Sequence, residues 1–570
     1  MNRLIGMVVA ALVVVPATGS RPAAACTNFL VSRGASADGS TMISYAADSH
    51  ELYGELVILP AADYPPGTMV TVYEWDTGKR LSEIPQVRHT WRVVGHINEH
   101  QVSIGETTWG GRKELQGSGK IDYGSLMFLA LQRARTAREA IGVITSLVDK
   151  YGYASSGETL SVADPREAWL LEIIGKGKQD PGAVWVACRV PDGYVSAHAN
   201  QARIRKFLKR RDTTCRWSKD VISFARRQGY FQGRDSEFSF ADAYAPLDFT
   251  ALRICEARVW SFFRRVAPRR AGRYLKYVMG DSQAPRLPPW IRPEHKLTVQ
   301  EMMQLMRDHF EDSPMDLHRG VGAGPYQLPY RWRPLTWKVD GQEYFNERAT
   351  STQQTGFSFI AQMRAQMPGD IGGVLWFGVD DTASTVYLPM YAGIRHAPRP
   401  FAPGTADFEH FSWDSAFWVF NAVANLAYGR YRDMIEDIRV VQRQLEGGLL
   451  ARQAEVERAA LALHRQAPGL ARDYLTRYLD EQAGLVLERW RRLWQELFVK
   501  YLDGNVRDEL GKVTHPGYPE AWYRRIVKER GQHYRVRQLP EEKLRQQQQK
   551  QKQKKQRPAG CPPCQPAQSH

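Results

Sequence analysis

The chain has 570 residues, of which 43% are apolar and 24% charged, a composition that excludes a wholly disordered, collagen-like or membrane-embedded protein. Its length allows roughly two to four domains of about 150 residues, or one large elaborated domain. The net charge is +16, but seven basic and only two acidic residues fall in the Gln/Lys-rich residues 541–557. Because no nucleic-acid-binding motif accompanies the remaining excess, we expect no nucleic-acid partner.

The first 25 residues have the layout of a secretory signal peptide. Arg3 precedes an apolar run over residues 4–15, and Ala23-Ala24-Ala25 provides a small-residue cleavage site. The run is shorter than the roughly 18 apolar residues that a membrane span needs, and no later stretch reaches that length. We predict a signal peptide over residues 1–25, a secreted or periplasmic location, no transmembrane segment after processing, and a mature chain that begins at Cys26.

A cysteine at the first mature position has three interpretations. It is an ordinary buried or disulfide-bonded residue, a lipid-bearing residue of an envelope lipoprotein, or an N-terminal nucleophile whose thiol attacks while its own α-amine acts as the base. The lipidation signal is poor, because no large aliphatic residue stands three places before Cys26. An α-amine has an ordinary pKa of about 7.7 to 8, so it can serve as a base near neutral pH.

The first part of the chain alternates β-branched runs with turns. Residues 27–31 and 40–45 flank Ser36-Ala37-Asp38-Gly39, which predicts a β-hairpin with Cys26 at its open end. Further hairpins are predicted around two polar turns, between residues 93–94 and 102–104 and between residues 373–377 and 386–388. The sequence also suggests helices over residues 125–134, 137–149 and 298–309. This mixture indicates an α+β fold of two packed antiparallel sheets with helices outside them.

The chain changes character after the predicted sheets. Between residues 415 and 501 helix formers prevail, with Pro468 as the only proline, which predicts two to four long amphipathic helices, two of them separated at Pro468-Gly469. We assign residues 406–539 to a helical extension. Beyond Pro540 the chain has too few apolar residues to bury, so residues 540–570 are predicted to be a disordered tail.

The segment CTNFLVSRGASADGSTMISYAADSH, residues 26–50, resembles the N-terminus of the secreted dipeptidases of the PepD type, N-terminal-nucleophile (Ntn) hydrolases related to choloylglycine hydrolase and penicillin V acylase. The resemblance covers roughly residues 26–442, with blocks such as VGHINEHQVSIGETTWGGR from Val94, RVPDGYVSAHANQARI from Arg189 and CEARVWSFF from Cys255. It implies an Ntn-hydrolase αββα sandwich as the catalytic domain, residues 26–405. It also implies a cysteine-type dipeptidase with Cys26 as the nucleophile.

The resemblance implies catalytic roles for two further residues. Asp48 matches the acidic residue that orients the nucleophile's amine, and Asn200 matches the amide that donates to the tetrahedral oxyanion. Many relatives carry an arginine three residues before this aspartate, where the present chain has Tyr45. The role of that guanidinium near the thiolate is therefore filled in another way or by another arginine. The candidates are Arg33, Arg203 and Arg205.

Substrate-binding residues are expected near the nucleophile. Thr107 or Thr108 falls where the related acylases place a second oxyanion donor. A dipeptide presents an ammonium and a carboxylate, and the candidates for binding these charged ends are Glu106, Glu158 and Arg348. The expected partner is a dipeptide or small amide, and the sequence does not decide whether the protein is a homo-oligomer.

The sequence contains one pattern that suggests zinc. His96-Ile97-Asn98-Glu99-His100 matches the inverted zinc-peptidase signature, which requires both histidines on one face of a helix. Gly95 and the alternating Val102 and Ile104 predict a hairpin turn there instead. No other cluster has metal-like spacing, so we expect no metal and no cofactor. The remaining cysteines have no pairing that the sequence reveals, and they are Cys188, Cys215, Cys255, Cys561 and Cys564.

Two other functions stay open. The same machinery can act on a non-peptide amide such as an N-acyl amino acid, because one scaffold hosts both substrate classes. Alternatively, the protein is a non-catalytic envelope lipoprotein, in which lipidation of Cys26 removes the thiol as a nucleophile.

Overall fold

A computed structural model describes residues 26–207 and 214–555. The predicted signal peptide and the pair Cys561 and Cys564 lie outside these residues. The described residues up to Val513 belong to one compact unit, and those from Thr514 belong to a second. None of the helices in the described part of the chain has the length and hydropathy that a membrane span requires.

The strands of the described residues are short to medium in length. They are β1 Asn28–Val31, β2 Thr41–Asp48, β3 Ile58–Leu59, β4 Ala62–Asp63, β5 Met69–Tyr73, β6 Arg80–Pro85, β7 His89–Thr90, β8 Val93–Val94, β9 Ile97–Asn98, β10 Ser103–Gly110, β11 Gly157–Ala163, β12 Ala168–Gly175, β13 Ala183–Arg189, β14 Val195–His198, β15 Cys215–Trp217, β16 Trp290–Ile291, β17 Thr336–Val339, β18 Gln342–Phe345, β19 Thr355–Met363, β20 Gly373–Val379, β21 Leu388–Tyr391, β22 Val506–Arg507 and β23 Val513–Thr514.

The helices include several short turns and a group of long C-terminal helices. They are α1 Tyr123–Arg133, α2 Ala137–Tyr151, α3 Val221–Arg227, α4 Phe240–Tyr244, α5 Ala257–Val266, α6 Pro268–Ala271, α7 Leu275–Val278, α8 Val299–Leu305, α9 Gly369–Gly372, α10 Ala416–Tyr428, α11 Tyr431–Gln466, α12 Pro468–Lys500, α13 Glu520–Tyr534 and α14 Pro540–Lys555. A π-helical segment, Ala251–Glu256, runs directly into α5.

Two antiparallel sheets form the centre of the first unit. One has seven strands in the order β16-β14-β1-β2-β19-β20-β21, and the other has eight in the order β15-β13-β12-β11-β10-β9-β8-β3. The predicted hairpin is confirmed as β1 and β2, where Leu30 pairs with Ile43. Strand β2 also pairs along its length with β19, so Asp48 at its end lies beside Thr355. The N-terminal hairpin is therefore held in the middle of the seven-stranded sheet.

The two sheets pack face to face. At Gly105 on β10 a Cβ atom would lie 2.5 Å from Oδ1 of Asn28 and 3.0 Å from Cβ of Tyr45, so only glycine allows this close approach. His198 on β14 bridges the sheets, with Nδ1 2.7 Å from the hydroxyl of Thr107 and Nε2 2.7 Å from that of Ser161. Burial lowers the pKa of His198 well below its usual value, which favours a neutral bridging imidazole.

Helices cover the outer faces of both sheets. On the eight-stranded sheet, α1 and α2 bury apolar faces against β10 to β13. Asp122 caps α1 by accepting from the backbone of Ser125, and Thr136 caps α2 by accepting from Glu139. On the seven-stranded sheet, α11 and α12 pack together and against β21. The layers follow the order helix, sheet, sheet, helix, and this mixed architecture confirms the α+β class.

The C-terminal helices follow the sequence pattern closely. Residues 415–501 form three helices, and α12 begins at Pro468, where a proline needs no backbone hydrogen bond. Secondary structure also extends into the segment that we expected to be disordered, since α14 is helical and the side chains of residues 540–553 are exposed. Its glutamine, lysine and glutamate side chains favour a helix without needing burial.

The other expectations about local structure have clear outcomes. Cys188 and Cys215 form a disulfide between the paired strands β13 and β15, whereas Cys26 and Cys255 are free thiols. The segment from His96 to His100 contains strand β9 and a turn rather than a helix. The two imidazoles therefore lack the shared helical face that the zinc-peptidase signature requires.

Candidate functional site

Cys26 lies where strand β1 begins, at the open end of the hairpin. The next residue, Thr27, exchanges two backbone hydrogen bonds with Ala46 of β2, at 3.2 and 2.9 Å. These bonds place Cys26 near the end of β2. The residue is only 1% exposed, so it is buried.

The thiol of Cys26 faces a carboxylate and a phenol. Its Sγ lies 3.3 Å from Oε1 of Glu106 and 3.8 Å from the hydroxyl of Tyr45, and that hydroxyl donates to the same Oε1 at 2.5 Å. Burial and the nearby Glu106 raise the pKa of the Cys26 thiol well above its usual value. In this arrangement the sulfur is held as a neutral thiol that donates to Glu106.

Glu106 belongs to a pair of buried carboxylates. It lies on β10 opposite Leu160 of β11, and Thr108 lies opposite Glu158, so Glu106 and Glu158 share one face of the sheet. The two carboxyl groups lie close enough to share a proton, and Thr108 contacts Glu158, but Oε2 of Glu106 and both oxygens of Glu158 have no other hydrogen-bond partner among the described residues. Burial raises the pKa of Glu106 to about 7, and burial together with Glu106 raises the pKa of Glu158 well above its usual value.

Two buried carboxyl groups without a cationic partner are expensive to ionise together. No lysine or arginine of the described residues forms an ion pair with either of them. They therefore retain a proton near neutral pH, or they take up a cation from outside the protein. This pair, Glu106 with Glu158, is called the carboxylate pair below.

Asp48 lies on the other side of Cys26. Its Oδ2 accepts from Nη2 of Arg348, and its Oδ1 accepts from the hydroxyl of Thr355 at 2.6 Å. Burial raises the pKa of Asp48 to about 6, although Arg348 and Thr355 both act in the opposite direction. A backbone hydrogen bond from Asp48 to Cys26 favours the thiolate. The predicted residues Cys26, Asp48, Glu106, Glu158 and Arg348 are thus brought into one region.

Arg258 is an important member of the site that the sequence analysis did not assign. From α5 its Nη1 donates to the carbonyl of Cys26 at 2.7 Å and to the hydroxyl of Thr27 at 2.8 Å. Its Nη2 donates to Oδ1 of Asn200 at 2.8 Å. The side chain is fully buried, and burial lowers its pKa to about 9. A charged residue within an otherwise apolar helix face was the available signal, because such a residue is buried only when it has partners.

Arg258 also fixes the amide of Asn200. A guanidinium has only donors, so the atom that faces it must be the amide oxygen. The amide nitrogen of Asn200 therefore points the other way, and it donates to the carbonyl of Thr108 at 2.6 Å. Asn200 has a φ of 59°, a left-handed conformation that asparagine tolerates better than most residues. Asn200 is thus tied to Cys26 through Arg258.

Several expectations require correction. The hydroxyl of Thr107 lies 2.7 Å from Nδ1 of His198, and the second oxyanion donor that we expected at Thr107 or Thr108 stays a prediction. Of the arginines suggested as replacements near Tyr45, Arg33 is exposed, and Arg203 forms an ion pair with Glu256 at 2.9 Å. The third candidate, Arg205, donates to the carbonyl of Leu287 at 3.1 Å. The guanidinium groups that surround Cys26 belong instead to Arg258 and Arg348.

A small cavity adjoins this region. Its lining contains three arginines and one glutamate, which are Arg331, Arg333, Arg348 and Glu347. The other lining residues are Leu317, Pro329, Tyr330, Leu335, Ala349, Ser351, Thr352, Gln353 and Gln354. Burial and the nearby Arg348 lower the pKa of Arg333 to about 10. The site therefore combines the carboxylate pair beside the sulfur of Cys26 with guanidinium groups close to Asp48.

Comparison with known proteins gives one consistent result. The family model described as peptidase family C69 matches residues 25–444. A probable dipeptidase of Salmonella dublin is 26% identical over 388 residues, which cover 65% of this chain and 82% of the relative. A probable dipeptidase of Latilactobacillus sakei is 23% identical, covering 71% of this chain and 82% of the relative. Dipeptidase A of Lactobacillus helveticus is also 23% identical, with coverage of 71% and 82%.

Proposed function

Because this chain belongs to peptidase family C69, we propose that it is a dipeptidase that cleaves its substrate through a thioester on Cys26. The relatives named above as dipeptidases, or probable dipeptidases, support this substrate class. The strongest support for the proposal is the carboxylate pair beside the sulfur, because it favours a dipeptide substrate over an N-acylated one.

The carboxylate pair holds the α-ammonium of the substrate. A scissile carbonyl carbon must approach Sγ to about 3 to 3.5 Å, and the α-nitrogen of the same residue lies about 2.5 Å from that carbon. Oε1 of Glu106 is 3.3 Å from Sγ, so the substrate's ammonium falls within reach of this carboxylate. An ammonium supplies the missing positive charge and hydrogen-bond donors, whereas an N-acyl group supplies neither charge nor enough donors.

The opposite side of Cys26 receives the substrate's carboxylate. Arg333 and Arg348 line one cavity next to Asp48, and a pair of guanidinium groups is suited to an anionic terminus. Arg348 reaches the site through its contact with Asp48. A substrate that spans both sides is therefore short and carries free charges at its two ends.

Hydrolysis then proceeds in two steps. In the mature protein the α-amine of Cys26 takes the thiol proton, the thiolate attacks the carbonyl carbon, and the peptide bond breaks as the protonated amine gives its proton to the leaving amine. Water then attacks the thioester and releases the first amino acid. Asp48 orients the amine, and the amide of Asn200, held by Arg258, donates to the oxyanion.

The proposal extends to fold subtype and location. The four layers, the N-terminal hairpin and the family membership support an Ntn-hydrolase sandwich over residues 26–405, with a helical extension after it. Export through the predicted signal peptide is supported by the disulfide between Cys188 and Cys215, because such bonds persist in oxidising compartments.

Paired substrates test the carboxylate pair's role. Ala-Ala and N-acetyl-Ala-Ala differ only in the charged amine, and Ala-Ala amide differs only in the carboxylate. We expect kcat/KM to fall about 10- to 150-fold on acetylation, because a hydrogen bond to a charged group contributes about 1.5 to 3 kcal/mol. Faster hydrolysis of N-acetyl-Ala-Ala or penicillin V than of Ala-Ala would favour the acyl-amide alternative instead.

Intact mass and N-terminal sequencing of the mature protein test the lipoprotein alternative. We expect an unmodified chain that starts at Cys26. A lipid-sized mass increment at this residue would reject the thioester mechanism.

A further inference from the structure

A cluster of two imidazoles and a carboxylate lies in the loop that follows α8, outside the site around Cys26. One ligand atom each from His309, Glu311 and His318 can be chosen so that all three lie within 4.8 Å of one another. The rings of the two histidines approach edge to face, with centroids 5.3 Å apart. These three residues, called the loop cluster below, are separated by short and irregular spacings rather than by helical ones.

The second nitrogen of each imidazole already has a partner. The hydroxyl of Tyr330 donates to Asp381 at 2.5 Å, so its oxygen accepts from Nε2 of His309, which lies 3.2 Å away. Nδ1 of His318 lies 3.1 Å from Oδ1 of Asp316, and a carboxylate there must accept a proton from the ring. These contacts leave Nδ1 of His309 and Nε2 of His318 as lone-pair nitrogens. Histidines that bind metals are oriented in this way by a carboxylate or another hydrogen-bond partner.

Glu311 is also oriented by hydrogen bonds, which leave one of its carboxylate oxygens facing His309. Its Oε2 accepts from Arg265 at 2.5 Å and from the backbone nitrogen of His309 at 3.0 Å. Its other oxygen, Oε1, lies 3.3 Å from Nδ1 of His309. The two atoms repel each other unless a positive charge lies between them, and that charge is either a proton, which makes His309 an imidazolium paired with Glu311, or a bound metal ion.

The distance between Oε1 of Glu311 and Nδ1 of His309 fits two ligands of one metal ion better than it fits a direct hydrogen bond. Zinc binds histidine nitrogen and carboxylate oxygen at about 2.0 to 2.2 Å, and its structural sites are tetrahedral. Two such ligands at a tetrahedral angle lie about 3.3 Å apart, which is the separation of Oε1 of Glu311 from Nδ1 of His309. His318 supplies a third ligand, and water can occupy the fourth position.

The loop cluster is buried on one side and accessible on the other. The side chain of His309 is fully buried, whereas those of Glu311 and His318 are 26% and 20% exposed. A cation can therefore reach the cluster from solvent. Nearby carboxylates of Asp308 and Asp316 offset the charges of neighbouring arginines, since Asp308 pairs with Arg265.

We propose that His309, Glu311 and His318 bind one divalent transition-metal ion, with zinc as the cation that their chemistry suits best. Two imidazoles and one carboxylate are borderline ligands that zinc accepts readily. The ion joins the start and end of the loop between residues 309 and 318. It is independent of the peptidase chemistry proposed for Cys26.

Zinc content of the mature, tag-free protein tests this proposal directly. After exposure to zinc and dialysis, we expect one zinc per chain in the unmodified protein and in Cys26→Ser, which shows that the ion is not held by the thiol. His318→Gln and Glu311→Gln should each weaken zinc binding at least about 100-fold, because even an outer partner contributes about 10- to 100-fold. His295→Gln is the matched control, since His295 lies 2.8 Å from Glu301 and has no second imidazole in its pair.

Two further measurements keep a folding defect separate from loss of a ligand. In chelator, the thermal unfolding midpoint of His318→Gln should equal that of the unmodified protein. Added zinc should raise the midpoint of the unmodified protein and of His295→Gln, but not that of His318→Gln. The cobalt-substituted protein should show the visible bands of a low-coordinate ion without a thiolate charge-transfer band.

Several outcomes would overturn the proposal. These are no zinc uptake by the unmodified protein at micromolar zinc, retention of zinc by either His318→Gln or Glu311→Gln, loss of zinc in Cys26→Ser, or a thiolate band in the cobalt protein. Equal stabilisation of the unmodified protein and His318→Gln by zinc would do the same.

Discussion

The site around Cys26 and the junction of helix α11 with the sheets both bury carboxyl groups, but the two regions differ in how these groups are paired. At the junction, Arg364 donates to both oxygens of Glu457 at 2.6 and 2.8 Å, and Arg307 donates to Glu446 at 2.5 Å. Beside Cys26, by contrast, no lysine or arginine of the described residues forms an ion pair with the carboxylate pair. The charges of the junction are matched within the chain, whereas the carboxylate pair lies where we propose that a substrate brings the counterion.

The largest effect is expected at the nucleophile. Cys26→Ser should lower kcat for Ala-Ala by at least about three orders of magnitude, because an alcohol is a much weaker nucleophile than a thiolate at neutral pH. Its unfolding midpoint should stay close to that of the unmodified protein. Cys255→Ser removes the other free thiol of the described residues and should keep near-normal turnover. Equal turnover by Cys26→Ser would contradict the thioester mechanism.

Breaking an ion pair at the junction should reduce stability rather than activity. Glu457→Gln leaves Arg364 buried without its carboxylate, so we expect the free energy of unfolding to fall by about 3 to 5 kcal/mol. Urea unfolding measures this change, and kcat/KM should be unaffected while the protein is folded. Glu488→Gln is the control, because Glu488 is largely exposed and lies 3.5 Å from Arg491, so its loss should change stability by less than about 1 kcal/mol.

For the carboxylate pair we expect the reverse, a loss of substrate binding without a loss of stability. Glu106→Gln should raise KM for Ala-Ala about 10- to 100-fold, through loss of a charged hydrogen bond to the ammonium. At pH 8 it should not reduce the free energy of unfolding. The raised pKa means that the folded state binds more protons than the unfolded state between the ordinary pKa and about 7, so ionising Glu106 destabilises the fold. A large loss of stability with unchanged KM would assign Glu106 to the fold alone.

The pH profile gives the smallest and most specific effect. Only the ionised carboxylate attracts an ammonium, so kcat/KM for Ala-Ala should decline as the pH falls through about 7, the pKa of Glu106. In Glu106→Gln the step near 7 should disappear and leave a shallower decline, set by protonation of the α-amine base of Cys26, whose ordinary pKa is about 7.7 to 8. An equally steep decline below pH 7 in both proteins would show that Glu106 does not contribute to it.

Structural features that depend on residues close together along the chain could be predicted from the sequence. The β1–β2 hairpin follows from two β-branched runs around a turn, and the start of α12 follows from Pro468. The contacts of Asp48 could not be predicted in this way, because Arg348 is 300 residues away along the chain. Arg258 was overlooked for the same reason, since its partners Cys26 and Asn200 come from other elements.

The loop cluster shows a different limit of sequence reasoning. Metal-binding patterns are recognised by regular spacing on helices or in short loops. Here Phe310 and Asp312 have φ of 65° and 59°, and these left-handed conformations on either side of Glu311 turn its carboxylate back toward His309. No pattern in the sequence predicts two such conformations in bulky or charged residues.

The burial of Cys26 also affects which polypeptides the protein can cleave. Cys26 is 1% exposed, and the substrate that we propose is held by two charged ends close to the sulfur, an arrangement that a bond in the middle of a folded polypeptide cannot adopt. On the proposed function, an exported enzyme of this design can share its compartment with other proteins without digesting them. It would act only on the final fragments of their turnover.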